Sequence, residues 1–210
     1  MILNEISTNL QIGKAKSVKA LVQQAIDEGF APKDILEQGL LHGMDVVGEK
    51  FKNEQIFVPE VLVAARAMNF GMAVLKPRLV AEGVKNTGKV CLGTIQGDLH
   101  DIGKNLVKMM LEGKGFEVID LGADVAPEKF IQTAKEEGCQ IIGISALLTT
   151  TMNTMAEVVK LAEEAGIRDQ VKIMVGGAPL TDAFAQKIGA DAYTPDAATA
   201  AEVAAAFCAG

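Results

Sequence analysis

The chain has 210 residues, a formal net charge of −7 and a hydrophobic content of 49%. This length fits one large domain or two small ones, and the apolar content is sufficient for buried cores. There is no block of Lys or Arg to neutralise phosphates, so a nucleic-acid partner is not expected. No run reaches the roughly 18 unbroken apolar residues of a membrane helix, and no signal peptide is recognised, so we expect no membrane association and a cytoplasmic location.

Helical periodicity dominates the first 83 residues. Pro32 and Pro59 each stand where a first helical turn would begin, and Pro77 is expected to kink or end the last helix. Apolar residues recur at spacings of three and four, at Val18, Leu21, Val22, Ala25 and Ile26, at Ile35, Leu36, Leu40, Met44, Val47 and Phe51, and at Val61, Leu62, Ala65, Met68, Met72 and Leu75. This pattern predicts four helices packed as a small bundle in a domain of residues 1–85.

The polar, glycine-bearing segment 82–89 predicts a linker, and alternating strands and helices follow it. Predicted strands span 89–95, 116–122, 140–146, 171–177 and 191–194, and predicted helices span 101–114, 127–137, 151–165, 181–187 and 197–208. Such alternation implies right-handed crossovers and a parallel sheet. Residues 86–210 are therefore predicted to form a flavodoxin- or Rossmann-like α/β domain, a five-stranded parallel sheet with helices on both faces.

Ligands of such sheets bind outside the carboxyl ends of the strands, which selects the loops that follow strands 1, 3 and 4. The first loop is not a phosphate loop, because five residues instead of four separate Gly97 from Gly103 and Asn105 stands where Ser or Thr would hold magnesium. A metal phosphohydrolase is also disfavoured, since the other imidazole of the chain, His42, falls within a predicted helix of the bundle and is interpreted as structural.

His100 is the candidate functional side chain of the first loop. Taken alone, it is also consistent with a solvated or helix-capping histidine. Asp98 lies two positions before it, and a carboxylate beside an imidazole holds its tautomer and raises its basicity as a ligand. Gly97 and Gly103 remove side chains where a flat, bulky group would approach the backbone.

Three motifs occur in order in the second half of the chain: Asp98-x-His100-x-x-Gly103, Ser145-x-Leu147 and Gly176-Gly177. In the first half, the segment Gly43–Phe51 is followed by Phe57-Val58-Pro59. Together these motifs resemble the helical cap and the cobalamin-binding domain of methionine synthase and of the corrinoid proteins of methyltransferase systems. The similarity covers nearly the whole chain.

The resemblance implies a cobalamin or related corrinoid cofactor whose cobalt takes His100 as its lower axial ligand. Asp98 would accept the other ring N–H, and Thr151 stands where methionine synthase has a serine that supports this Asp. The cofactor contacts implied in the first loop are Gly97, Asp98, Leu99, His100, Asp101, Ile102 and Gly103. Those implied beyond it are Ser145, Leu147 and Thr149 near the buried base, Gly176, Gly177 and Tyr193 along the nucleotide tail, and Phe51 and Val58 over the upper face.

The function implied is that of a methyl carrier, which alone is not catalytic and cycles between cobalt(I) and methyl-cobalt(III). One partner would be a methyl-donor:corrinoid methyltransferase, and a second would pass the methyl group to tetrahydrofolate or coenzyme M. A reductive activase is a further expected partner. His100 would bind and leave cobalt with oxidation state, and the Asp98–Thr151 pair would store or release a proton as it does so.

Two other corrinoid functions are less consistent with the chain. A cobalamin-dependent sensor of this fold carries a DNA-binding domain and typically a Trp in its cap, and this chain has no Trp. A subunit of an adenosylcobalamin mutase fits the cap segment less well. A cofactor-free flavodoxin-like module would not explain the three ordered motifs.

Overall fold

The structure is a computed structural model that describes residues 2–209. These residues form two compact units. The N-terminal unit extends through Asn86 and includes Gly113–Gly115, whereas the C-terminal unit comprises Thr87–Glu112 and the chain from Phe116 onward. Each unit has its own helices and buried residues and is described separately.

The N-terminal unit is helical, as predicted. Its helices are α1 (Ile2–Gln11), α2 (Ala15–Asp27), a continuous rod made of α3 (Pro32–Asp34), the π-helical segment Ile35–Leu41 and α4 (His42–Lys52), and α5 (Val58–Ala81). Pro32 and Pro59 lie in first turns, where a missing N–H costs no hydrogen bond. Helix α5 does not end at Pro77 but continues to Ala81.

Helix α5 is the longest helix of the described chain. By length and composition alone it could cross a membrane, with a mean hydropathy of 1.4 over its most apolar window. The core helix of a soluble protein passes the same test, and 39% of that window is buried inside the protein. Val61, Ala64, Met68 and Leu75 of α5 are buried, and the helix packs against α2. We therefore interpret α5 as the core helix of the N-terminal unit.

The C-terminal unit is built on a parallel sheet of five strands in the order β2-β1-β3-β4-β5, as predicted. The strands are β1 (Lys89–Ile95), β2 (Glu117–Val125), β3 (Ile141–Ser145), β4 (Lys172–Gly176) and β5 (Ala192–Thr194). The helices are α6 (Ile102–Gly113), α7 (Pro127–Glu137), α8 (Met155–Glu164, preceded by a 3₁₀ turn at Met152–Thr154), α9 (Asp182–Ile188) and α10 (Ala197–Cys208).

Helices α7, α8 and α9 cover one face of the sheet. Phe130 of α7, Met155 and Val158 of α8 and Ala185 of α9 share a buried cluster with the strand residues that point to that side. Because the crossovers of parallel strands are right-handed and β1 lies between β2 and β3, α6, which connects β1 to β2, lies on the opposite face. Burial on both faces accounts for the apolar strands that the sequence shows.

Strand β2 is longer and less regular than the sequence predicts. It runs to Val125 rather than ending at residue 122. Its register against β1 shifts twice. Leu92 pairs with Asp120, but Gly93 pairs with Gly122 and Ile95 with Val125. The carboxyl end of β2 therefore carries two extra residues and lies beside the loop that follows β1.

Candidate functional site

The carboxyl edge of the sheet brings the predicted loops together. Strand β1 ends at Ile95, β3 at Ser145 and β4 at Gly176. The loops after β3 and β4 are joined where the backbone N–H of Ala146 donates to the carbonyl of Gly176 at 3.1 Å. The loop after β1 is joined to the loop after β3 through one buried carboxylate, that of Asp98.

Asp98 is fully buried and accepts hydrogen bonds at both carboxylate oxygens. Its Oδ1 accepts the backbone N–H of His100 at 3.0 Å and lies 2.8 Å from Nδ1 of the same residue. Its Oδ2 accepts the backbone N–H groups of Leu147 and Leu148 at 2.7 and 3.0 Å. The Thr151 hydroxyl also donates to Oδ2, at 3.1 Å. The predicted Asp98–His100–Thr151 constellation is therefore assembled in the structure.

These contacts fix the charge of Asp98 and the tautomer of His100. Burial by itself raises the pKa of Asp98, but the donated hydrogen bonds of His100, Leu147 and Leu148 outweigh it and hold the pKa well below its usual range. Asp98 is therefore a carboxylate at neutral pH and can only accept hydrogen bonds. The expectation that the Asp98–Thr151 pair stores a proton is thus wrong for Asp98, because its donors stabilise the charged form. The hydrogen of a neutral His100 must then reside on Nδ1, so that Nε2 carries the lone pair.

His100 is held by its backbone as well as by its ring. The fully buried hydroxyl of Thr94, in β1, donates to the carbonyl oxygen of His100 at 2.9 Å. The His100 side chain is nevertheless 54% exposed. A ring that is fixed through Nδ1 on a side chain that stays exposed is suited to be a single ligand of a metal.

Thr151 supports Asp98 despite its extra methyl group relative to serine. Its Oγ1 also lies 3.0 Å from the carbonyl oxygen of Leu148, so the one hydroxyl hydrogen has two acceptors within reach. The methyl group lies over Gly97, where a Cβ would be only 3.2 Å from it. Gly97, with φ +85°, thus accommodates both a left-handed backbone and the larger side chain of Thr151.

Large apolar side chains surround this donor group without being buried. Leu99 and Ile102 are 76% and 75% exposed, and Leu147 and Leu148 are also exposed. A Cβ at Gly103 would meet no atom within 4 Å, so the backbone there is open to approach. Apolar groups exposed together on a protein surface mark a binding site. The residues present therefore fit a flat, largely apolar macrocycle whose metal takes one protein nitrogen.

The other predicted contacts of the C-terminal unit also lie at or near this edge. Ser145 is the half-buried last residue of β3, and Thr149 and Asp101 are exposed in the loops. Tyr193 lies in β5 beside Val175 and packs against the core cluster.

The Gly176-Gly177 pair has a cause within the protein itself. Gly177 has φ +134°, and a Cβ there would overlap the carbonyl oxygen of Ala146. At Gly176 a Cβ would lie 3.3 Å from the carbonyl oxygen of Thr194. Close packing of the two loop backbones thus already requires glycine at position 177, apart from any bound nucleotide tail.

Phe51 and Val58 belong to the N-terminal unit. Phe51 lies in α4 and Val58 is the first residue of α5, and both are half-buried. Their role over the upper face of a corrin stays a prediction.

Three residues of the site were not found from the sequence. Thr94 has a recognisable signal, a lone hydroxyl near the end of an apolar strand. Leu148 acts through its backbone N–H, which no residue type reveals. Asp124, whose carboxylate accepts the Gly97 N–H at 2.7 Å, lies on β2 beyond the predicted end of that strand.

Comparison with known proteins agrees with this geometry. Residues 88–205 match a family described as a B12 binding domain, and residues 2–76 match a second family with the same description. The fold and the site thus define a corrinoid-binding protein.

The relatives identify the family more narrowly. The chain is 46% identical to the dimethylamine corrinoid protein of Methanosarcina barkeri, over 95% of this chain and 93% of that protein. It is 49% identical to trimethylamine corrinoid protein 1 of Methanosarcina acetivorans, over 82% of this chain and 81% of that one. A chain in the structure of the methanol:cobalamin methyltransferase complex of Methanosarcina barkeri superposes with a TM-score of 0.88 at 32% identity, covering 100% of this chain and 80% of that one. The chain belongs to the corrinoid proteins of methyltransferase systems, and its cofactor is a cobalamin or related corrinoid.

Proposed function

We propose that this protein is a methyl carrier in which Nε2 of His100 is the lower axial ligand of the bound corrinoid. The observation that supports this role is the Asp98 carboxylate, which is buried and binds Nδ1 of His100 at 2.8 Å while the ring stays accessible. A ligand histidine needs this arrangement, because its second nitrogen must be fixed for the first to point at the metal.

The corrinoid, when bound, supplies a cobalt that accepts a methyl group in its reduced state and gives it up again. The residues of the chain supply a ligand that can leave and return. Asp98 keeps the hydrogen on Nδ1 in either state, because its own pKa is held low. Thr151 and the Leu147 and Leu148 N–H groups stabilise the negative charge of Asp98 throughout.

The remaining assignments of this proposal rest on the resemblance to known carriers. By this resemblance, Phe51 and Val58 would cover the upper face of a bound corrin and would have to move away for methyl transfer. The residues that would hold the base and nucleotide tail of the cofactor are Ser145, Thr149, Gly176, Gly177 and Tyr193. The protein acts in the cytoplasm with a reductive activase.

The methyl donor is proposed from the names of the relatives. Two relatives at 46% and 49% identity are named for dimethylamine and trimethylamine, whereas the methanol complex is 32% identical. We therefore propose a methylated amine as donor and a methylamine:corrinoid methyltransferase as the first partner. A second methyltransferase then passes the methyl group to tetrahydrofolate or coenzyme M. Methylation of the reconstituted carrier by amine-specific and methanol-specific methyltransferases checks the donor, and methylation by the methanol enzyme alone would contradict it.

The axial ligand is tested with cobinamide, a corrinoid that lacks its own nucleotide base. The full-length protein is reconstituted with cobinamide and reduced to cobalt(II), and its electron paramagnetic resonance spectrum is recorded. We expect the threefold splitting caused by one axial nitrogen, which can come only from the protein. His100→Ala should lose the splitting, and His42→Ala, which removes the other histidine of the chain, should keep it. Splitting that persists in His100→Ala would show that another group is the ligand.

A further inference from the structure

The carboxyl end of β2 has a backbone that a regular strand does not have. Gly122 and Asp124 both adopt positive φ angles, +86° and +56°. They coincide with the two register shifts against β1. Positive φ is costly for a residue with a side chain, and it persists only where the surroundings determine it. Bulges of this kind redirect side chains and are common beside functional sites.

Asp124 binds the loop after β1 at two consecutive residues. Its carboxylate Oδ1 accepts the backbone N–H of Gly97 at 2.7 Å. Its own backbone N–H donates to the carbonyl oxygen of Asp98 at 3.0 Å. Gly97 and Asp98, the two residues joined by one peptide bond, are thus each hydrogen-bonded to Asp124 of β2.

The position of His100 depends on this peptide unit through Asp98. The carboxylate of Asp98 is oriented from the β3 side by Leu147 and Leu148, and its backbone is oriented from the β2 side by Asp124. Both constraints act on the residue that binds the ring of His100. The Asp124 side chain is exposed, so hydrophobic burial does not explain its presence there.

We propose that Asp124 is a positioning residue that holds the His100 loop in the geometry needed for the axial bond to cobalt. The inference rests on the proposed role of His100 as that ligand. Asp124 forms its hydrogen bonds with Gly97 and Asp98 rather than with His100, and it acts through these two residues. Its removal should lower the fraction of protein with the histidine bound, while the fold and the other corrinoid contacts are retained.

Two substitutions separate the carboxylate from the backbone conformation. Asp124→Gly adopts positive φ freely but has no acceptor for the Gly97 N–H. Asp124→Asn keeps an acceptor oxygen and tolerates positive φ, so it should behave as the wild type. Ala123→Gly is the matched control, because it adds the same backbone freedom one residue earlier and leaves Asp124 in place.

The first measurement uses the protein without cofactor. Amide hydrogen exchange, resolved by residue with NMR, should be about fivefold to tenfold faster at Gly97 in Asp124→Gly, the change expected from the loss of one hydrogen bond. The His100 amide should also exchange faster, because it donates to Asp98. Asp124→Asn and Ala123→Gly should differ little from the wild type. Unchanged exchange at Gly97 in Asp124→Gly would overturn the proposal.

The second measurement is the nitrogen splitting in the cobalt(II) cobinamide form. Asp124→Gly should reduce the split fraction about fivefold, and Asp124→Asn should restore it. An equal loss in Ala123→Gly would assign the effect to backbone flexibility and overturn the role of the carboxylate. A wild type with no splitting would contradict the ligand role of His100 itself, and the exchange data would then still report whether Asp124 holds the loop.

Discussion

Asp98 and Asp120 both pair with a basic side chain in the C-terminal unit. The acid is the buried partner in the first pair, and the base is the buried partner in the second. Asp98 is fully buried and its partner His100 is 54% exposed. Asp120 is 25% exposed, and its partner Lys104, which contacts Asp120 Oδ1 at 2.6 Å, is only 2% exposed. The pKa of each carboxylate is lowered, although burial raises both, because hydrogen bonds from their partners and from backbone N–H groups outweigh burial.

The difference in burial indicates what each pair can do. In the first pair the acid is part of the protein interior and the base faces outward, so the base can bind a ligand. In the second pair the base is interior, and the Lys104 ammonium also reaches Asn105 Oδ1 at 2.8 Å. Asp120 in turn accepts the Gly122 N–H at 3.0 Å, at the first bulge of β2. The second pair therefore joins α6 to β2, and its base is buried rather than directed outward.

The largest effect is expected from removing the carboxylate of the first pair. Asp98→Ala leaves the N–H groups of His100, Leu147 and Leu148 without their acceptor, which should lower the free energy of unfolding by about 3 kcal/mol. It also frees the imidazole tautomer, so the nitrogen splitting with cobinamide should be largely lost. Urea unfolding and the cobalt(II) spectrum measure the two effects. A spectrum like that of the wild type would mean that His100 needs no carboxylate to bind.

A smaller effect, on stability alone, is expected from the second pair. Lys104→Met keeps the chain length and removes the charge, leaving Asp120 with the Lys108 ammonium at 3.3 Å and with solvent. We expect the free energy of unfolding to fall by only about 1–2 kcal/mol, because solvent screens the partly exposed Asp120. The cobalt(II) spectrum should be unchanged. If this substitution removed the nitrogen splitting, the division into a ligand-binding pair and a structural pair would be wrong.

The smallest effect is expected at Thr151, which sharpens the description of the first pair. Thr151→Val keeps the shape but loses the hydroxyl that donates to Asp98, whereas Thr151→Ser keeps the hydroxyl and loses the methyl group over Gly97. Thr151→Val should lower the free energy of unfolding by about 1 kcal/mol. It should also lower the fraction of cobinamide-loaded protein that shows the nitrogen splitting. Thr151→Ser should retain the bound form. A larger loss of stability and of nitrogen splitting in Thr151→Ser than in Thr151→Val would show that Thr151 acts through packing of its methyl group.

Much of this protein follows from local sequence patterns. The order of helices and strands, the parallel sheet and its binding edge are predictable because apolar periodicity and chain-reversing residues act over a few positions. Asp98 and His100 are recognisable together because they are two residues apart in one loop. The predicted bounds of β1 and α10 coincide with the observed ones for the same reason.

Only the tertiary structure decides which groups surround Asp98 and His100. The donors to Asp98 from Leu147 and Leu148 are 49 and 50 residues away, and Asp124 is 27 residues from Gly97. The first two are backbone groups, which residue types do not encode, and the third depends on bulges that prolong β2. Strand order brings these segments to one edge. The sequence by itself thus determined which histidine is the candidate ligand. The tertiary structure decided which groups orient it, because those groups are distant in the chain and meet only when the sheet is formed.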